Sequence, residues 1–216
     1  MVSVPEFDRA GFAAHVHRYC EDIPAGERRI VAIAGPPASG KSTLAAELHQ
    51  RLNDAFAGSC ALLPMDGFHY DDEVLAARGW LTRKGAPHTF DVGGYAAALR
   101  RLRDNEEETI AVPRFDRSIE IARAAAILVE RDVRLIVTEG NYLLLGDDPW
   151  PGLRRFFDRT ALIVTGLGTL EARNRQRWVD MDRDEAFITA KLELNDMPNV
   201  RLVMERSVDP DWVIHT

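Results

Sequence analysis

Short apolar runs alternate with longer amphipathic stretches along most of this chain. The runs "RRIVAIAG" (28–35), "CALLPM" (60–65), "TIAVPRF" (109–115), "VRLIVTEG" (133–140), "RTALIVTG" (159–166) and "DWVIH" (211–215) have strand length. Their Ile, Val and Leu content without clean alternation suits strands covered on both faces, as in a parallel sheet. Helical periodicity falls between them, over 41–57, 92–104, 149–158, 169–180 and 182–194. Asp182 and Glu185 have capping-box spacing, and Pro198 is placed to open one more short helix. This alternation predicts an α/β layered fold, whose ligands gather at the carboxyl ends of the strands. The segment 71–92, "DDEVLAARGWLTRKGAPHTFDV", is charged and long for a connection. It reads either as a lid or binding loop or as a plain solvated loop.

Composition narrows the class. A length of 216 residues suits a single domain over 1–216. The net charge of −7, without a clustered cationic face, argues against a duplex nucleic-acid partner but leaves small anionic ligands open. Cys20 and Cys60 show no metal-ligand spacing and read as free thiols, with an isolated disulfide as the alternative. The N-terminal stretch has no apolar signal core, and no window approaches a membrane span. A soluble cytoplasmic protein without membrane partners is the expectation.

The strand ends carry the chemistry. "GPPASGKST" (35–43) follows the first strong strand and fits G-x-x-x-x-G-K-[ST], the phosphate-binding P-loop. Gly35 permits a sharp exit from the strand and Gly40 a close backbone approach to phosphate. Pro36 and Pro37 lack an N–H, so the anion cradle falls to the amides of Ala38, Ser39, Gly40, Lys41, Ser42 and Thr43, where a helix begins. Lys41 is placed to reach the β- and γ-phosphates of ATP, and the Ser42 hydroxyl to bind Mg²⁺. Thr43 either assists the α-phosphate or packs. "VTEGNYLLL" puts Glu139 at a neighbouring strand end, where an acid that holds the Mg²⁺ water shell belongs. Asp66, in "LLPMDGFHYDD", closes another apolar run; its Asp-Gly pair is a turn, with or without a chemical role. Arg173 and Arg177, four apart, share one helix face, while Arg175 points elsewhere.

Together "GPPASGKST", "DGFHYDD", "RKGAPHTFDV", "PRFDR", "EGNYLLL" and "NDMPN" resemble the phosphoribulokinase, uridine kinase and pantothenate kinase superfamily. The nearest branch is the short nucleoside-kinase-like proteins labelled fructose-transport-system kinases. The resemblance implies a P-loop NTPase three-layer α/β fold with a mainly parallel five-stranded core sheet, extra edge strands and a helical lid over about 169–197. It also implies transfer of the γ-phosphoryl group of ATP to a hydroxyl of a small metabolite. Asp66 then matches the acceptor-activating aspartate and Glu139 the metal-associated acid. Arg173 and Arg177 match lid arginines that close over the phosphates. His69, Arg83, Lys84 and Arg117 are expected near the acceptor, with packing by Phe68 and Tyr70 as the alternative reading of His69. Asn195, Asp196 and Asn199 are assigned to the adenine side or to capping. The acceptor is expected to be a sugar such as fructose or a nucleoside, with a pantothenate-like molecule as an alternative and a homodimer open. A nucleotide-binding regulatory NTPase acting on a protein partner is the reading from another class.

Overall fold

The structure, a computed structural model, describes residues 4–216. Its centre is a six-stranded sheet in the order β1–β8–β7–β2–β6–β3, with every neighbouring pair parallel. The strands are β1 (Glu6–Phe7), β2 (Arg29–Ala34), β3 (Cys60–Pro64), β6 (Leu135–Gly140), β7 (Arg159–Val164) and β8 (Trp212–His215). Two antiparallel strands, β4 (Thr109–Asp116) and β5 (Ile121–Glu130), form a separate ribbon. Five strands make the expected parallel core, and the two-residue β1 extends it at the β8 edge. No helix among the described residues is long and apolar enough to cross a membrane.

Side-chain alternation on the central strands divides the core into two layers. Val31 and Ile33 of β2 face one helical layer, while Ile30, Ala32 and Ala34 face the other. The first layer is α1 (Arg9–Glu21) and α2 (Lys41–Ala55), contributing Phe12, Val16 and Cys20, and Leu44, Leu48 and Leu52. The second contains α4 (Val92–Asp104), with Tyr95, Leu99 and Leu102, and the 3-10 turn Trp150–Phe156. A smaller apolar cluster joins α5 (Leu167–Val179), α6 (Glu185–Lys191) and the start of α7 (Met197–Arg206) through Leu170, Trp178, Ile188, Leu192 and Val200.

Several expectations are corrected. The 109–115 run lies outside the parallel sheet: Ile110 and Val112 are buried and their neighbours exposed, so only one face is covered. The 149–158 stretch is 3-10 rather than α, with Pro149 and Pro151 beside Trp150. Asp182 does not cap a helix. It adopts a left-handed φ of 53°, and Asp184 instead accepts a hydrogen bond from the Phe187 amide to start α6. That helix continues as a π turn over Leu192–Asp196 before Pro198 enters α7, as the sequence predicts. The 71–92 segment is mostly ordered turns: α3 (Asp72–Ala77), capped by Asp71, then 3-10 turns at Leu81–Arg83 and Pro87–Thr89. Cys20 and Cys60 are both buried free thiols.

Candidate active site

The parallel sheet brings three strand ends together. In register, Glu139 of β6 lies between Ile33 of β2 and Pro64 of β3. The P-loop follows β2 and Asp66 follows β3, so Glu139 falls between them. Close packing holds the geometry. A Cβ at Gly35 would sit 2.7 Å from Ser39 Oγ and 3.1 Å from Ile163 Cβ. A Cβ at Gly67 would sit 2.6 Å from the Pro113 carbonyl oxygen. Gly67 therefore lets the Met65–Phe68 3-10 turn press against β4; it is needed for space rather than for unusual backbone angles.

Left-handed backbone at Ala38 (φ 63°) and Gly40 (φ 88°) curls the P-loop in the manner of an anion nest. Gly40 caps α2 without a side-chain hydrogen bond, which leaves the first helical amides free for an anion. Ser39 Oγ is buried without a partner, another donor turned into the loop. Lys41 Nζ donates to Pro36 O at 3.2 Å, and burial lowers its pKa against the opposing pull of Glu139 and Asp66. Ser42 Oγ donates to Glu139 Oε1 at 3.1 Å. Burial and the charge of Asp66 push the Glu139 carboxyl up to about 6. Among the described residues no cluster of three or more His, Cys, Asp or Glu could hold a metal alone. A hydroxyl and one carboxylate nevertheless suit Mg²⁺, which completes its shell with phosphate oxygens and water.

Asp66 Oδ2 accepts a hydrogen bond from Arg117 Nη2 at 2.9 Å. Burial raises the Asp66 pKa, but His69, Arg117, Lys41 and Arg177 together hold it below the usual aspartate range. The carboxylate lies in the wall of a cavity of about 130 Å³, together with His69, Lys84, Arg117, Asn141, Lys191 and the Asn195–Asp196 pair. His69 is not packed by Phe68 and Tyr70. Its ring lies between Phe90 (4.0 Å between centroids) and Phe115 (5.0 Å), and its Nδ1 is 2.8 Å from Asp66 O. Lys84 Nζ bonds to Asp72 and to the Glu120 carbonyl, both at 2.6 Å. Arg83 is not part of this cavity; it donates to Leu194 O at 2.9 Å and lines an adjoining, more apolar groove.

Arg173 and Arg177 line a second groove with Gly40, Lys41, Ser42 and Thr43. Arg173 Nη1 reaches to 3.5 Å from Ala38 O. Arg177 and Arg117 line both this groove and the Asp66 cavity, so the two openings meet at these guanidinium groups. Arg175, as expected, turns away and pairs with Glu185. Asn195, Asp196 and Asn199 are all buried and line the same cavity as Asp66. Asp196 Oδ2 accepts from Trp178 Nε1 at 2.6 Å, and Asn195 donates to Lys84 O at 3.0 Å. Their ordinary cap-like spelling hid this placement, which the π turn creates. Asn141 was also missed, although its position two residues after Glu139 was a usable signal.

No family model matches the chain. It is 31% identical to a "putative uridine kinase" of Schizosaccharomyces pombe over 208 residues, covering 92% of this chain and 87% of that one. It is 30% identical to YggC of Escherichia coli K12, an uncharacterized protein, covering 93% of this chain and 83% of that one. The crystal structure of a "putative fructose transport system kinase" from Silicibacter sp. TM1040 superposes with a TM-score of 0.86 at 35% identity. It covers 96% of this chain and 98% of that one. With the P-loop, the strand-end acids and the arginines in these positions, the chain belongs to the phosphoribulokinase, uridine kinase and pantothenate kinase superfamily and is a small-molecule P-loop kinase.

Proposed function

We propose that the protein transfers the γ-phosphoryl group of ATP to a hydroxyl of a small polyhydroxylated acceptor, with Mg²⁺ as cofactor. The reading rests on Asp66, whose carboxylate faces one cavity while its partner Arg117 lines both that cavity and the P-loop groove. In this reading Arg117 holds Oδ2 and leaves Oδ1 to orient the acceptor hydroxyl and take its proton. The acceptor oxygen forms a bond to the γ-phosphorus as the β–γ bridging bond breaks and ADP departs. Lys41 and the loop amides stabilise the phosphoryl charge, and Ser42 and Glu139 hold the metal. Bound Mg²⁺ would draw further charge from the transferred group. Arg173 and Arg177, on a lid formed by 169–197, cover the phosphates and keep water from the reacting centre.

The cavity wall favours a sugar-like acceptor over a nucleoside. Asn141, Asn195, Asn199, Asp196 and Lys191 offer both donors and acceptors to hydroxyl groups. The aromatic rings in the wall are partly covered: His69 packs against Phe90 and Phe115, and Arg177 and Lys191 lie over Trp178. That leaves little room for stacking a base.

The test is an acceptor screen of sugars, nucleosides and pantothenate, following ADP release and product mass. ADP release is expected to depend on a sugar or related polyol. Asp66→Asn is expected to lower kcat by about 10²–10⁴-fold while nucleotide binding persists. Turnover near wild type would remove Asp66 as the base. ADP release that ignores every small acceptor but responds to a protein would favour a regulatory NTPase.

A further inference from the structure

The P-loop groove has a cation that its motif does not include. Arg9, the first residue of α1, lines this groove with Lys41, Ser42, Thr43, Arg173 and Arg177. Its Nη1 lies 3.6 Å from where a Cβ on Gly40 would stand, which puts the guanidinium over the loop's closest-approach glycine. Nη2 is held by Glu47 Oε2 of α2 at 2.8 Å, and the side chain keeps 36% of its surface exposed. Among the described residues Nη1 has no hydrogen-bond partner, so one arm of the fork is anchored and the other is free. An anchored, half-exposed guanidinium beside an anion cradle is pre-organised for phosphate, because its donors are fixed before the ligand arrives.

We infer that Arg9 is a nucleotide-binding residue that contacts the α-phosphate of the bound nucleoside triphosphate, reaching the P-loop groove from α1 where the lid arginines reach it from α5. The assignment to the α-phosphate follows from position. Arg9 approaches from α1, which packs on α2, whereas Arg173 and Arg177 approach from α5. Thr43, which lines the groove with Arg9, would serve the α-phosphate in this reading. The inference rests on the ATP-binding reading above. It adds that the N-terminal helix, outside the sequence motif, completes the phosphate site. Glu47 then acts as a positioning residue: it tethers one nitrogen and keeps the other over the loop.

Nucleotide affinity without acceptor separates this role from a merely structural ion pair. Wild-type, Arg9→Ala, Glu47→Gln and Arg177→Ala proteins would be titrated with ADP and with the non-hydrolysable analogue AMPPNP. Circular dichroism would confirm that each is folded. Arg9→Ala is expected to weaken both ligands by a similar factor, about tenfold, because both carry the α-phosphate. Glu47→Gln removes the charge of the pair, but its amide oxygen can still accept from Arg9 Nη2 and keep the guanidinium placed, so either affinity is expected to change less than threefold. Arg177→Ala is expected to weaken AMPPNP more than ADP. The assignment is overturned if wild type binds tightly and Arg9→Ala matches it, or if Glu47→Gln loses as much as Arg9→Ala. Failure of wild type to bind either nucleotide would instead overturn the ATP reading, and this inference with it.

Discussion

Gly67 shows how one missing methyl group can hold two functional residues in relation. The Pro113 carbonyl occupies the space a side chain would need, so the turn carrying Asp66 rests directly on the ribbon that leads to Arg117. Gly67→Ala should push the ribbon outward and loosen the Asp66–Arg117 pair. A loss of about 1–3 kcal/mol in stability is expected from the overpacking, together with a fall in kcat. Gly152→Ala is the control, because no atom lies within 4 Å of that Cβ. Equal denaturant midpoints for the two variants would show that Pro113 yields without cost. The Asp-Gly pair was legible in the sequence as a turn, and the family resemblance supplied a role for Asp66. The steric need at Gly67 was not legible, because the residue it meets is far away in the chain.

At the scale of elements, legibility followed burial. Continuous apolar runs such as "RIVAIA" and "LIVTEG" identified the central strands because both faces are covered. The weakly apolar "IARAAAILVE" of β5 escaped notice: most of it is exposed, and only its pairing with β4 makes it a strand. Helix α1 escaped for a similar reason. Its buried face is only Phe12, Val16 and Cys20, set among charged and histidine positions. The π turn at Leu192–Asp196 has no sequence signature, yet it carries Asn195 and Asp196 into the wall of the Asp66 cavity. Trp178 secures it through the bond to Asp196. Trp178→Phe keeps the ring and removes the donor, and is expected to cost about 1–3 kcal/mol by leaving a buried carboxylate oxygen short of a partner. Denaturant unfolding measures this, and an unchanged midpoint would mean that another donor takes over.

For the molecule as a whole, the nucleotide site joins elements from different layers: the P-loop between β2 and α2, the end of β6, and α5. A ligand bound there should therefore stabilise the folded chain globally. At a hundredfold excess over Kd, the linkage is about 2.7 kcal/mol. For a chain of this size that amounts to a rise in melting temperature of about 5–10 °C. Differential scanning fluorimetry with AMPPNP should show the rise, and Lys41→Met should abolish it. A shift that survives in Lys41→Met would move the nucleotide away from the P-loop. The fold class, the loop and the strand-end acids could be read in advance because short contiguous stretches carry them. The wall of the Asp66 cavity could not, since it is assembled from segments as far apart as Asp66, Arg117, Asn141 and Asn199.

The order of synthesis adds a consequence. Among the described residues strand β1 pairs only with β8, Glu6 opposite Val213 and Phe7 opposite Ile214. Translated ahead of the other described strands, β1 therefore has no sheet neighbour until β8 has emerged. Helix α1, which follows β1 directly and carries Arg9, can pack on α2 early, but its leading end is fixed only when the sheet edge closes. A nascent chain could thus form its P-loop well before that arginine is locked over it, and full nucleotide affinity would then arrive only as β8 docks.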